Sequence, residues 1–135
     1  ARAGTSTRYS HGDALDCGDE DEFCELHDQY TVWCGNSSNA SEPVGSRLPN
    51  AYGLYDMHGN LWEWVNDWWS EGTYARSPAH DPRGPAFGTL RIARGGSWFD
   101  ESWKVCASSR KALTPSSYRM HWVGFRCAVS AGAEE

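Results

Sequence analysis

The sequence is short of lysine. Lys104 and Lys111 are the only two; the other ten of its 12 basic residues are arginine, set against 18 acidic residues for a net charge of −6. No basic stripe exists to neutralise a phosphate backbone, which excludes non-specific nucleic-acid binding as a function class. No apolar run approaches the roughly 20 residues that a membrane-spanning helix needs, so no membrane span is expected. A signal-peptide pattern is missing as well, which says little about compartment because a mature chain would look the same. No P-loop, dinucleotide fingerprint or Ser-His-Asp order is found. No window carries a sustained helical period, and there is no repeat or low-complexity tract. The 135 residues allow one domain.

What is abundant is rings and turns. Eight Trp, six Tyr and four Phe accompany 14 Gly and six Pro. Large rings can seal a core with little aliphatic secondary structure, so the composition predicts a loop-rich α+β or β-heavy fold. Arginine in place of lysine suits fixed, bidentate or stacked contacts, and several of these arginines are expected to be structural. Strands are predicted over 30–34, 61–66, 91–98 (ending in a glycine bend), 105–113 (passing into a loop) and 123–129. Leu61, Trp62 and Trp64 are expected inside. A turn or helical piece is expected over 53–58, long loops over 35–50 and 70–90, and a frayed tail at the end.

Five cysteines leave at least one unpaired within the chain. Cys17, Cys24, His27 and Cys34 could offer four soft or borderline ligands to zinc, but the tight C-x2-C hairpin is missing. A local disulfide, Cys17–Cys24 or Cys24–Cys34, is the stronger reading, with free thiols as a third. The acidic run 19–22 reads as a solvated loop, and nothing places Asp16, Asp19 and Glu22 in a cleft. Asn36-Ser37-Ser38 and Asn39-Ala40-Ser41 fit the short N-glycosylation pattern. They tilt the compartment, otherwise open, toward an exported location.

Three blocks carry more information than the rest. The first is NAYGLYDMHGNLWEW (50–64), followed by Asp67-Trp68. The second is Arg94-Gly95-Gly96-Ser97-Trp98. The third is Val123-Gly124-Phe125-Arg126. ARAGT at the start and EPVGSRLPN at 42–50 belong with them. In order and spacing the set resembles the formylglycine-generating-enzyme, or sulfatase-modifying-factor, family from residue 1 to about 129. The resemblance implies a C-type-lectin-like α+β fold, loop-rich, with little regular secondary structure and short antiparallel strands. It also implies that 1–135 is the C-terminal part of a single domain. The upstream half would lie outside this chain, and a half-domain would expose apolar surface for a complementary N-terminal chain to cover.

The resemblance further implies structural calcium. Carried over residue by residue, the ligands are a side-chain oxygen of Asp56, the carbonyls of Gly59 and Leu61, and the carboxylate of Glu63. An all-oxygen set from one turn-then-strand segment suits that ion. The plain alternative is that Asp56 caps a turn and Glu63 pairs with an arginine. Family enzymes oxidise a substrate cysteine with O₂ and copper held by two thiolates, soft ligands of the kind Cu(I) requires. The first would fall at Asp100, and the stretch 98–105 holds no cysteine. No copper is expected, and the chain leans away from being an enzyme. Cys106 and Cys127 match family disulfide cysteines whose partners would fall at Ala1 and in the upstream half. Here they pair with each other, stay reduced or are buried.

A ligand groove is expected over 97–104 and 114–122, lined by Trp98, Asp100, Glu101, Trp103, Arg110, Tyr118, Arg119, His121 and Trp122. Rings, arginines and carboxylates together suit a polar or peptide ligand; a surface loop with ordinary aromatic packing is the plain alternative. The leading functional reading is a non-catalytic lectin-fold binding or accessory module, a pseudoenzyme. A second is the variable ligand-binding protein of a diversity-generating retroelement. Adenine-directed changes at Asn codons cannot easily give Trp, Glu, Met or Lys, so Glu101, Trp103, Lys104, Met120 and Trp122 would have to be fixed scaffold. A third is a substrate-shaping domain of an iron-dependent sulfoxide synthase, or a fragment of a formylglycine-generating oxidase.

Overall fold

A computed structural model describes residues 1–13, 24–78, 80, 82, 84–115 and 120–129. The regular elements are few and short. They are helix α1 (Glu25–Tyr30), strand β1 (Trp62–Trp68), the four-residue helix α2 (Thr73–Arg76), strand β2 (Arg91–Arg94), a 3-10 turn (Ser102–Lys104), strand β3 (Lys111–Leu113) and strand β4 (Val123–Gly124). The fold is loop-rich α+β, as its rings and glycines predict. The strands form one sheet in the order β3-β2-β1-β4. Strands β3, β2 and β1 are antiparallel, with Glu63 opposite Arg94 and Ile92 opposite Ala112. Strand β4 joins β1 in parallel, with Trp62 opposite Val123. The register between β1 and β2 slips between Trp64 and Trp68, a bulge that bends β1.

Alternation along β1 sorts its side chains onto two faces. Trp62 is buried with Ala93 and Leu113, and Trp64, Trp122 and Val123 pack against that cluster. Glu63 points the other way, into a cleft. A second cluster lies away from the sheet and consists of Tyr9, Cys24, Trp33, Val105 and Cys106. Loops build it, which explains why no hydrophobic period announces it.

Gly59-Asn60 joins these parts. The Gly59 N–H donates to the Gly95 carbonyl at 2.7 Å, the Asn60 N–H to the Val32 carbonyl at 2.8 Å, and the Trp98 N–H to the Asn60 carbonyl at 2.9 Å. Asn60 also accepts from the Glu42 N–H at 3.1 Å and donates to the Glu42 carbonyl at 3.2 Å. Gly59 has a φ of +81°, and a β-carbon there would sit 2.0 Å from the Val32 carbonyl oxygen. Only glycine fits so close a backbone approach.

Several elements differ from the sequence expectation. The predicted strand 30–34 is instead the end of α1 followed by an extended piece with one bridge, Val32 to Gly59. Polar contacts override its β-rich composition: Asp28 Oδ1 accepts from Trp33 Nε1 at 2.7 Å and from Asn36 Nδ2 at 2.9 Å, which folds the segment back onto α1. Strand β1 begins at Trp62, and Leu61 and Trp64 are half-buried. Within 105–113 only the last three residues pair, because Cys106 to Arg110 turn away from the 3-10 segment. The closing strand keeps only Val123–Gly124, and 125–129 lie exposed without a neighbouring strand to pair with among the described residues.

Candidate functional site

The chain after β2 makes a glycine bend and then presents the expected groove residues. Gly95 and Gly96 both have positive φ, which swings Ser97 and Trp98 inward. Asp100 is 6% exposed. Its Oδ2 accepts from Trp62 Nε1 at 2.6 Å, Ser97 Oγ at 2.6 Å and the Ser97 N–H at 3.1 Å. The Asp100 carboxylate therefore ties the glycine bend to β1 from inside the fold. It does not line an open groove.

The residues on either side of it face outward. Phe99 is 64% and Trp103 59% exposed. Trp98 is buried and meets Phe99 edge-on and His121 at a tilt, with ring centroids 5.7 and 5.6 Å apart. Glu101 and Lys104 form an exposed ion pair at 2.5 Å. Hydrogen bonding to Lys104 lowers the Glu101 carboxyl, and the same bond raises the Lys104 ammonium. Lys104 also lies 4.8 Å from the Trp103 ring centroid. Trp98 thus links the rings of Phe99 and His121, and Lys104 links Glu101 to the Trp103 ring.

Arg110 and Trp122 are used differently. Arg110 sits between the rings of Trp69 and Tyr74, 4.6 and 4.3 Å from their centroids. Trp122 stacks under Lys111 at 4.3 Å. Both are cation–π contacts that brace the sheet. Tyr118 and Arg119 lie outside the described residues, as does Cys17. Cys24 is disulfide-bonded, and Cys106 and Cys127 are free. Burial would raise the Cys106 thiol, but hydrogen bonds from Ser108 and Ser109 bring it below the ordinary value.

Two of the expected calcium residues, Asp56 and Glu63, meet near the start of β1. Asp56 and Glu63 line a cavity of about 360 Å³ with Met57, Val65, Arg94 and Gly95. A β-carbon at Gly95 would lie 3.8 Å from the Leu61 carbonyl oxygen, so its absence keeps a cradle open beside that oxygen. Among the described residues no group of three or more His, Cys, Asp or Glu side chains is placed to hold a metal ion. A cation here would depend on carbonyl oxygens as well as the two carboxylates. That all-oxygen set fits a hard ion such as Ca²⁺. Asp56 Oδ2 already accepts from the Gly45 N–H at 2.8 Å, and Glu63 is paired with Arg126 at 2.7 Å.

A third constellation went unread in the sequence because its members are far apart. His11, His27 and His58 gather around Tyr9. His11 Nε2 and His27 Nδ1 are 2.9 Å apart, and the ring nitrogen on the far side of each is buried without a partner. Burial pushes both down to about 4, with the neighbouring imidazoles adding to the effect. His58 is fixed as one tautomer: its Nδ1 donates to the Val105 carbonyl at 3.0 Å, and its Nε2 accepts from the Ser10 N–H at 3.0 Å. Burial pushes the Tyr9 hydroxyl up to about 12, and that hydroxyl donates to the Ser102 carbonyl at 2.8 Å.

The geometry can be set beside known proteins. The family model described as the sulfatase-modifying factor enzyme 1-like domain matches residues 1–131. The chain belongs to the sulfatase-modifying-factor family. Among relatives, the formylglycine-generating enzyme of Streptomyces coelicolor is 38% identical over 144 aligned positions, covering 97% of this chain and 43% of the enzyme. That of Thermomonospora curvata is 48% identical over 93, covering 64% of this chain and 30% of the enzyme. Among solved structures, Treponema denticola variable protein 1 superposes with a TM-score of 0.73 at 29% identity, covering 93% of this chain and 41% of that one. This member of the family therefore spans less than half the length of each of these proteins. No helix among its described residues is long and apolar enough to cross a membrane.

Proposed function

We propose that this chain is a non-catalytic binding module of the sulfatase-modifying-factor family, with its ligand surface formed by the exposed rings of Phe99 and Trp103 and by Glu101, Lys104 and His121. The observation that carries the reading is Asp100. The family resemblance puts the first copper thiolate at this position, and the chain has instead a carboxylate whose Oδ2 takes three donors inside the fold. A hard carboxylate is a poor ligand for Cu(I). Around it the side chains that reach solvent are rings and one ion pair, which suit contact with a peptide.

The test is selection of a phage-displayed random peptide library on the folded chain. Enriched clones should lose binding to the Trp103→Ala variant while its melting temperature stays within about 2 °C, as for an exposed residue whose change costs about 0.5 kcal/mol or less. Failure to enrich any clone, equal binding by the variant, or copper-dependent formation of an aldehyde on a cysteine peptide would each defeat the reading.

A second reading, the variable ligand-binding protein of a retroelement, is favoured by the likeness to Treponema denticola variable protein 1. Glu101 and Trp103 weigh against it, since both are exposed at the ligand surface where such a protein would vary.

Calcium is proposed as a structural ion held by Asp56, Glu63 and the carbonyls of Gly59 and Leu61. When bound it would supply charge neutralisation between two carboxylates at the ends of one loop. The proposed partner is a polypeptide with an apolar face. It would pack on the cleft of about 680 Å³ bordered by exposed Val44, Leu54, Tyr55 and Phe125.

A further inference from the structure

We propose that Arg126 is a built-in counter-cation for the loop from Asp56 to Glu63, and that it competes with a divalent cation for the Glu63 carboxylate. The inference rests on the calcium reading above.

The contact is unusually complete for a half-exposed pair. Arg126 Nε donates to Glu63 Oε1 at 3.1 Å and to Oε2 at 3.0 Å, and Nη2 donates to Oε1 at 2.7 Å. Nη2 also donates to the carbonyl of Tyr55 at 2.8 Å. One guanidinium thus engages both oxygens of the carboxylate at the end of the loop and the backbone just ahead of the carboxylate at its start. The hydrogen bonds with Glu63 raise the Arg126 guanidinium, and the field of Asp56 adds to them.

Two carboxylates that share one cavity require positive charge near them. Arginine meets that need here with its fixed fork. A calcium ion takes one or both oxygens of a carboxylate. Both oxygens of Glu63 already accept N–H bonds, so an ion can reach Glu63 only as those bonds loosen. Placing Arg126 and a doubly charged ion together on two carboxylates would also leave an excess of positive charge. The two cations therefore work against each other: arginine holds the loop when the ion is absent and weakens the ion's binding. A purely structural Arg126 would have the opposite signature, since its loss would disorganise the loop and weaken calcium as well.

The experiment compares wild type, Arg126→Gln and Arg126→Lys, each stripped with EDTA and titrated with CaCl₂, by calorimetry and by melting temperature. Arg126→Gln should melt lower than wild type in EDTA. It should bind calcium more tightly by roughly tenfold, the scale of a charge-assisted contact released, and show the larger calcium-induced rise in melting temperature. Arg126→Lys keeps the charge without the fork and should fall between; it carries the same comparison if the glutamine variant does not fold. Calcium binding by the glutamine variant alone supports the proposal. Equal or weaker calcium binding by Arg126→Gln, with wild type binding, overturns the competition and leaves the calcium reading intact. No calcium response in either protein removes the calcium reading, and the competition with it.

Discussion

Acid should destabilise this protein well before its carboxylates are protonated, because of the His11–His27 pair. Each imidazole is held at about 4 in the fold, against about 6.5 in an unfolded chain. The folded pKa is the lower one, so between these values the unfolded chain binds more protons and stability falls as pH drops from about 6.5 toward 4. For His27, which is 1% exposed, a shift of that size corresponds to on the order of 3 kcal/mol. His11 is partly open, and solvent screening makes its share smaller. Against a typical total of about 5–15 kcal/mol, the loss is large.

Other groups face the pair. They are Tyr9, Tyr30, Trp33 and His58 in ring contact, and Asp28 on α1 beside Trp33. His58 is also pushed down by burial and acts in the same direction. Tyr9 stays neutral throughout. The assay is urea unfolding between pH 7.5 and 5.0, a range above most carboxylate titration. Stability should fall by about 1–3 kcal/mol per pH unit near pH 5, one to two protons' worth. In His11→Gln/His27→Gln most of that slope should disappear. A wild-type slope near zero from pH 6.5 to 5.0, or an unchanged slope in the double variant, would refute the reasoning.

Gly59→Ala should prevent folding or cost several kcal/mol, because its β-carbon would meet the Val32 carbonyl oxygen at 2.0 Å at a positive φ; circular dichroism and a melting curve like those of wild type would contradict this. Asp100→Asn should lower stability by about 1.5–3 kcal/mol, the scale of hydrogen bonds to a charged group, since a neutral amide oxygen in the place of Oδ2 would accept from Trp62 and Ser97 without the charge. A denaturant midpoint unmoved by that change would show that the carboxylate is not what ties the bend to β1.

The motif blocks were legible because they are local. Gly95-Gly96 makes the glycine bend expected after β2, whereas of the strand expected over 123–129 only Val123–Gly124 pairs. Of the three residues expected inside, only Trp62 is buried; Trp64 is half-buried beside it, and Leu61 lies on the other side, lining the cleft with Glu63. Helix α1 was not legible. Six residues are too few to show a period, and its following segment is set by Asp28 reaching Trp33 and Asn36. The candidate site was legible only in part: Glu101 and Trp103 face solvent, whereas Trp98 and Asp100 are buried. Arg110 was read as a ligand residue from its chemistry alone, and the rings of Trp69 and Tyr74 that hold it come from other segments.

The sequence by itself determined the family, the lack of a thiolate at position 100 and the two oxygen-bearing ends of the loop 56–63. These are matters of residue identity and short spacing, and no packing can change them. Only the tertiary structure decided that Asp100 is sealed beneath Trp62, that the arginine on Glu63 is Arg126, and that His11, His27 and His58 share one buried space. Each of these depends on residues 16 to 63 positions apart being brought within hydrogen-bond or ring-contact distance. Such meetings follow from how loops close over rings, and no period or motif in the chain encodes them.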